Sequence, residues 1–267
     1  MLSAATTPLT PAFALGSSRG SGEFFLCGPA PLPVPGPDFP VAFNIYSKPL
    51  SRKYVLGKHD SQPLYAFRTY SAISGQPAAV LHNIPDPRED REDMWATVEF
   101  PPLSSDVVIS LPGVAGSSSQ KETMEIGASS EGYSFSVEVG DARAGLTRES
   151  FGWRHTSSTG GLMVKLPEGM NQGWMLVRKE KQPLYGVNGH TFRAYGDGAY
   201  LTPDGYEVLA VCADVGSALS TKRARFQFLG TASGSMYGSR FDLMAVMTAL
   251  AIFEKDRRSK KQKQKSR

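Results

Sequence analysis

Phe241-Asp242-Leu243-Met244-Ala245-Val246-Met247-Thr248-Ala249-Leu250-Ala251-Ile252-Phe253 is the stretch on which the fold turns. Between Asp242 and Glu254 its one polar residue is Thr248. A surface helix carries an apolar stripe and a polar face, whereas this run is apolar all round and, as a helix, must be buried on every side. Ser239 or Asp242 can cap its start. Glu254 and the basic residues after it close it near Lys255, with cations at the negative end of the dipole. From Leu243 to Phe253 the run extends about 16 Å at ~1.5 Å per residue. That is roughly half of the ~30 Å hydrocarbon layer of a bilayer, so no transmembrane span is expected.

Everything upstream of this run, from Val41 onward, is patterned for strands. Val41–Ser47, Lys53–Leu56, Leu64–Tyr70, Ala79–Leu81, Trp95–Phe100, Asp106–Leu111 and Thr123–Ile126 are short and rich in β-branched and aromatic residues. Tyr133–Val139 alternates apolar residues with Ser and Glu, as a half-buried strand does. Ser150–His155, Leu162–Leu166, Trp174–Lys179, Thr191–Tyr195, Tyr206–Cys212 and Arg225–Leu229 continue the series. Gly57–Pro63, Gly75–Pro77, Asp86–Asp93 and Gly113–Gln120 read as the loops between them, and Asp204-Gly205 as a hairpin turn. About twelve strands with frequent turns make a barrel or sandwich. A short helix that needs complete enclosure has a natural place along the axis of a closed barrel, the alternative being a helix packed between the barrel and a dimer partner. The expected fold is mainly β: a closed antiparallel barrel of about twelve strands enclosing the hydrophobic C-terminal helix.

Three regions follow. Residues 1–40 hold eight of the 19 prolines and only three charges, and are expected to be a disordered Pro-rich leader. Within it, Phe24-Phe25-Leu26-Cys27 could dock as an extra strand. Residues 41–257 form the barrel with its helix, and 258–267 a disordered basic tail. Gln62-Pro63-Leu64-Tyr65 recurs as Gln182-Pro183-Leu184-Tyr185, which would be the mark of two similar half-barrels.

Glu254–Arg267 holds eight Lys/Arg against two acids, so this end carries +6, while residues 1–253 hold 21 basic against 23 acidic groups. A near-neutral body with a basic end does not favour a nucleic-acid groove; it makes an anion-seeking appendage. The residues concerned are Arg257, Arg258, Lys260, Lys261, Lys263 and Lys265. Near an anionic membrane each contributes about 1 kcal/mol. The same cluster would serve as a nuclear-import signal in a soluble interaction protein.

No catalytic constellation is expected. Gly16-Ser17-Ser18-Arg19-Gly20 has the spacing of a nucleophile elbow but lies in the leader, without the strand and helix that an elbow joins. His59, His82, His155 and His190 are scattered without metal-ligand spacing, and Cys27 and Cys212 form no framework. No cofactor or metal is therefore assigned. Trp95, Trp153 and Trp174 read as barrel packing, Cys212 as a small buried hydrophobe, and Arg68 and Arg193 as partners of loop acids.

The layout resembles the Tubby C-terminal-like superfamily, which includes Tubby domains, phospholipid scramblases and LURP-one-related proteins. The resemblance is carried by Tyr54-Val55-Leu56-Gly57, Gln62-Pro63-Leu64-Tyr65, Phe151-Gly152-Trp153-Arg154, Gly173-Trp174-Met175-Leu176 and the helix at Asp242–Phe253, and covers roughly 41–257. It is most similar to the functionally unassigned fungal members. The resemblance implies phosphoinositides as the ligand class. With the missing catalytic set and the basic tail, the expected function is a non-enzymatic binding or scaffold module at anionic membranes, the alternative being a soluble interaction protein with the tail as import signal. The expected location is cytoplasmic, membrane-peripheral or nuclear. Protein partners are left open. The cysteine cluster and acidic calcium-binding stretch of scramblases have no counterpart here.

Overall fold

The computed structural model describes residues 36–48, 51–71, 74–88, 93–113, 118–127, 132–141, 145–157, 172–180, 201–202, 204–215 and 220–265. Among them are twelve strands: β1 (Ala42–Ser47), β2 (Lys53–His59), β3 (Gln62–Thr69), β4 (Ala79–His82), β5 (Met94–Glu99), β6 (Val107–Leu111), β7 (Gln120–Ile126), β8 (Tyr133–Asp141), β9 (Gly145–Ser157), β10 (Gln172–Arg178), β11 (Val208–Asp214) and β12 (Lys222–Phe228). Each pairs antiparallel with its sequence neighbours, and β1 closes the ring on β12 through Ala42↔Gln227 and Phe43↔Phe226. Among the described strands, closure leaves no unpaired edge to be protected.

The alternation along the strands explains which side faces in. Tyr133, Phe135, Val137 and Val139 of β8 are buried, while Ser134, Ser136 and Glu138 between them are half-buried. In β12, Ala224, Phe226 and Phe228 point into the same core. Strand β11 is apolar on both faces, with Leu209, Ala210 and Cys212 in the main core and Val208 and Val211 in a second cluster with Met175, Val177 and Leu229.

The core of the barrel is built around the first half of α1 (Ser239–Lys265). No residue from Phe241 to Ile252 is more than 6% exposed, as a helix without a polar face requires. Phe241 packs against Phe151 of β9 at 4.8 Å between ring centroids, and Phe253 meets Tyr54 of β2 edge-on at 5.4 Å. Thr248 does not break this pattern. Its hydroxyl lies 2.8 Å from the Met244 carbonyl oxygen and accepts the Trp153 indole N–H at 2.8 Å, so both buried polar groups are satisfied. Trp153 is thus barrel packing, as expected.

At the helix's N-terminal end the chain turns into the barrel through Gly238. Its φ of +84° suits glycine, and a Cβ there would stand 2.4 Å from the Gly140 carbonyl oxygen. Arg240 then joins Glu122, Glu138 and Arg148 in a cluster of four ion pairs, at 2.6 to 3.3 Å. Phe39 packs on Phe43 and Tyr65, and the Tyr65 hydroxyl donates to the Asp38 carbonyl oxygen at 2.9 Å. Residues 36–40 therefore cover this end of the barrel and belong with the folded part rather than with the leader.

A further expectation is corrected. The helix does not close near Lys255: it runs on to Lys265, so residues 258–265 are helical rather than a disordered tail. The reason lies in Glu254, which binds Arg257 and Arg258 one turn on and carries the helix through the charged stretch. The strands expected at Leu162–Leu166 and Thr191–Tyr195, the second Gln-Pro-Leu-Tyr, Phe24–Cys27 and the Gly16–Gly20 pattern lie outside the described residues. Among the described residues, no helix is long and apolar enough to cross a membrane.

Candidate functional site: the basic end of the barrel

The helix leaves the barrel at the end formed by the start of β2, the end of β3 and the β5–β6 connection. Its first charged residue there, Glu254, is completely buried. An isolated carboxylate so placed would be costly, and two guanidiniums answer it. Arg257 donates from Nε and Nη2 to its two oxygens, each at 2.6 Å, and Arg258 donates from Nε at 2.7 Å. The hydrogen bond to Glu254 holds the Arg257 guanidinium even more firmly protonated than usual. Arg258 also donates to the carbonyl oxygens of Tyr70 and Ala78, at 3.0 and 3.2 Å, and its guanidinium lies 5.0 Å over the Phe100 ring.

The six basic residues singled out in the sequence are therefore split. Arg257 and Arg258 are internal struts that seal the barrel. Lys260 and Lys263 are exposed beyond it. Lys260 comes within 3.4 Å of Asp214, but both side chains are largely in solvent, so the pair is weak. Lys261 and Lys265 lie on the same helical extension, and their side chains are outside the described residues. Lys255, missing from the expected set, bonds the Ser105 carbonyl oxygen at 2.9 Å, and burial lowers its pKa.

Beside the helix exit is a cleft of about 380 Å³, lined by Ser51, Arg52, Lys53, Arg68, Thr69, Tyr70, Ser71 and Ser74. The β2–β3 register sets Lys53 directly opposite Arg68, an unfavourable pairing of like charges unless anions offset it. The connection after β4 supplies the offset: Asp86 pairs with Lys53, and the Pro87 carbonyl oxygen accepts from Arg68 at 2.5 Å. The hydrogen bond from Lys53 pulls the Asp86 carboxyl below its ordinary range. Arg52 is exposed at the mouth. The cleft is thus lined by three cationic side chains and five hydroxyl residues. Lys53 and Arg68 are held by Asp86 and Pro87, and the Ser51, Thr69 and Ser74 hydroxyls donate to the Lys48, Arg52 and Ser71 carbonyl oxygens. An anion entering it would meet Arg52 first and would compete with Asp86 for Lys53. Tyr70 joins it to the helix: the residue lines the cleft, and its carbonyl oxygen accepts from Arg258.

Elsewhere Glu207, Arg178 and Arg154 are engaged structurally, while among the described residues Asp242 Oδ1 is buried without a hydrogen-bond partner. Buried Glu207 accepts from the Thr231 hydroxyl at 2.5 Å and lies 3.4 Å from the Tyr237 hydroxyl. Arg178 pairs with Glu149 at 2.7 Å, and Arg154 with Asp204 at 2.8 Å while lying over the Tyr206 ring. Burial pushes the Cys212 thiol up to about 12, so it behaves as a small hydrophobe. His82 is buried, His59 and His155 are exposed, and the His155 ring meets Trp174 edge-on. His190 and Arg193 lie outside the described residues. Among the described residues no group of three or more His, Cys, Asp or Glu could hold a metal ion. The chain matches no protein-family model, no curated protein and no solved structure.

Proposed function

We propose that this chain is a non-enzymatic binding module of the Tubby C-terminal-like kind, which docks on anionic phospholipid surfaces, phosphoinositide-bearing ones included, through the helix-exit end of its barrel. One observation carries the reading: α1 continues as a helix past its buried section, so exposed Lys260 and Lys263 lie at the same end of the barrel as the Arg52–Lys53–Arg68 cleft. A helix holds these charges at one end of a rigid body, and there each basic residue is worth about 1 kcal/mol against an anionic surface. The cleft, on the same side, would add contacts to a headgroup phosphate. Absence of turnover is part of the proposal, since buried Glu254 and Glu207 are held by Arg, Thr and Tyr groups rather than poised beside a nucleophile.

Vesicle flotation tests it. The protein should float with phosphatidylcholine vesicles carrying phosphatidylserine or phosphoinositide and detach as the screening length falls from about 10 Å in 0.1 M salt to about 3 Å in 1 M. Replacing Lys260, Lys261, Lys263 and Lys265 together by Gln should remove most of the binding and leave the melting temperature unchanged. Wild-type protein that ignores anionic vesicles at low salt would overturn the proposal.

A further inference from the structure

Leu103 is wholly exposed, at 101% of the reference surface for a leucine. It is the third residue of a turn, Pro101-Pro102-Leu103-Ser104, closed by donation from the Ser104 N–H to the Pro101 carbonyl oxygen at 3.3 Å. Proline in the second position presets the backbone for such a turn. The Ser104 hydroxyl braces it from below, donating to the Asp106 carboxylate and accepting the Asp106 N–H, both at 3.0 Å. An ordered turn therefore holds an aliphatic side chain out into solvent.

A single exposed leucine is ordinary; its position is what gives this one meaning. The turn joins β5 to β6 at the helix-exit end and is fastened to the basic stretch of α1. Lys255 Nζ donates to the Ser105 carbonyl oxygen, and Arg258 lies over Phe100, the residue just before the turn. A second aliphatic side chain stands nearby. Ile126 ends β7 at 41% exposure and pairs with Tyr133, whose ring lies 5.5 Å from Lys255 Nζ. Apolar side chains and exposed lysines thus share one end of the barrel. The other exposed large hydrophobics, Val41, Leu64, Met94, Leu146 and Met236, belong to the other end, where the basic residues Arg148 and Arg240 are matched by Glu122 and Glu138.

We infer that the Pro101–Asp106 turn is a membrane wedge: Leu103, with Ile126 behind it, enters the boundary between headgroups and acyl chains of an anionic bilayer while the lysines of α1 meet lipid phosphates. This rests on the membrane-surface reading and adds to it an apolar contact and an orientation. Phosphates alone would give binding that salt abolishes. Insertion of a leucine adds a contribution that salt does not screen, as apolar burial is indifferent to charge.

The test uses vesicles of phosphatidylcholine with about 30% phosphatidylserine. Leu103→Ser should weaken partitioning about tenfold, the order expected for withdrawing a leucine from an apolar environment, with no change in melting temperature because the side chain touches nothing. Leu103→Trp should preserve or strengthen it, since indole favours the interface. An environment-sensitive dye attached after Leu103→Cys, with Cys27→Ser, should shift to the blue on vesicles and be quenched by shallow spin-labelled lipids. The same dye after Met236→Cys should not respond. If wild-type protein binds these vesicles while Leu103→Ser binds equally well and the dye at 103 stays aqueous, the wedge is wrong and the electrostatic reading survives. The exposed turn would then be left for a protein partner. If wild-type protein does not bind at all, both fall.

Discussion

Arg258→Ala should destabilise the fold far more than loss of a surface charge, although Arg258 and Lys260 stand two residues apart in one basic run. Arg258 makes a charged hydrogen bond to Glu254, reaches two strand carbonyls and stacks over Phe100. A hydrogen bond between ionised partners contributes about 1.5–3 kcal/mol, and a partly exposed cation–π contact about 0.5–1 kcal/mol. The Arg258 side chain is 31% exposed and Arg257 remains on Glu254, so the lower ends apply. Their combination, about 2 kcal/mol, is the expected cost. Glu254→Ala strips both guanidiniums of their partner and should cost more, about 3–5 kcal/mol. Lys260→Ala gives up a 3.4 Å contact between side chains 71% and 44% exposed, worth at most about 0.5 kcal/mol. Equilibrium urea unfolding followed by tryptophan fluorescence reads all three as shifts in midpoint at constant m-value. Equal midpoints for Arg258→Ala and Lys260→Ala would refute the division into struts and surface charges.

Thr248→Val should cost about 1–3 kcal/mol at nearly constant shape, because it leaves the buried Trp153 indole N–H without its acceptor; thermal unfolding measures it. Leu250→Ala, at a fully enclosed position, should cost about 2–5 kcal/mol, and a smaller loss would mean that the helix is not packed on all sides. Burial, with Asp38 nearby and against a hydrogen bond from Ser235, pushes Asp242 up to about 6 from its ordinary 3.8. Its folded pKa therefore lies above the unfolded one, and stability falls as pH rises between those two values. Asp242→Asn should recover up to about 3 kcal/mol near pH 7 and almost nothing near pH 3.5, where both states are protonated, as paired urea titrations would show.

The architecture was legible because one short run could be placed in few ways. An all-apolar helix too short for a bilayer, set after a dozen strand patterns, leaves a barrel axis as its natural place. The twelve described strands fall on expected segments, since alternation such as Tyr133-Ser134-Phe135-Ser136-Val137 survives any tertiary context that keeps one face wet. The end of the helix was misread because a basic run was taken as a stop. Lys, Arg and Gln are good helix formers in their own right, and Glu254 three and four residues before Arg257 and Arg258 was the available signal for continuation. The cleft was missed for a different reason. Lys53 and Arg68 are remote in sequence and meet only through hairpin register. The sequence reading opened a loop over Gly57–Pro63, whereas the strands run on to His59 and resume at Gln62. A two-residue turn at Asp60-Ser61 pairs His59 with Gln62 and, counting back, Lys53 with Arg68. The turn chemistry was present in the sequence, but the pairing it sets was not followed. Nothing local marks Leu103 either: Pro-Pro-Leu-Ser reads as an ordinary turn until its connection to Lys255 is known.

Hydrogen–deuterium exchange along α1, with and without vesicles carrying about 30% phosphatidylserine, tests the central claim in one measurement: a helix buried in the barrel whose projecting end meets anionic lipid. Amides of 243–258 should exchange only with global unfolding and be indifferent to vesicles. Those of 260–265 should exchange fast alone and slow down on vesicles, together with the 101–106 turn. Fast exchange of 243–252 under native conditions, or slowing confined to the opposite end around 236–240, would contradict the account.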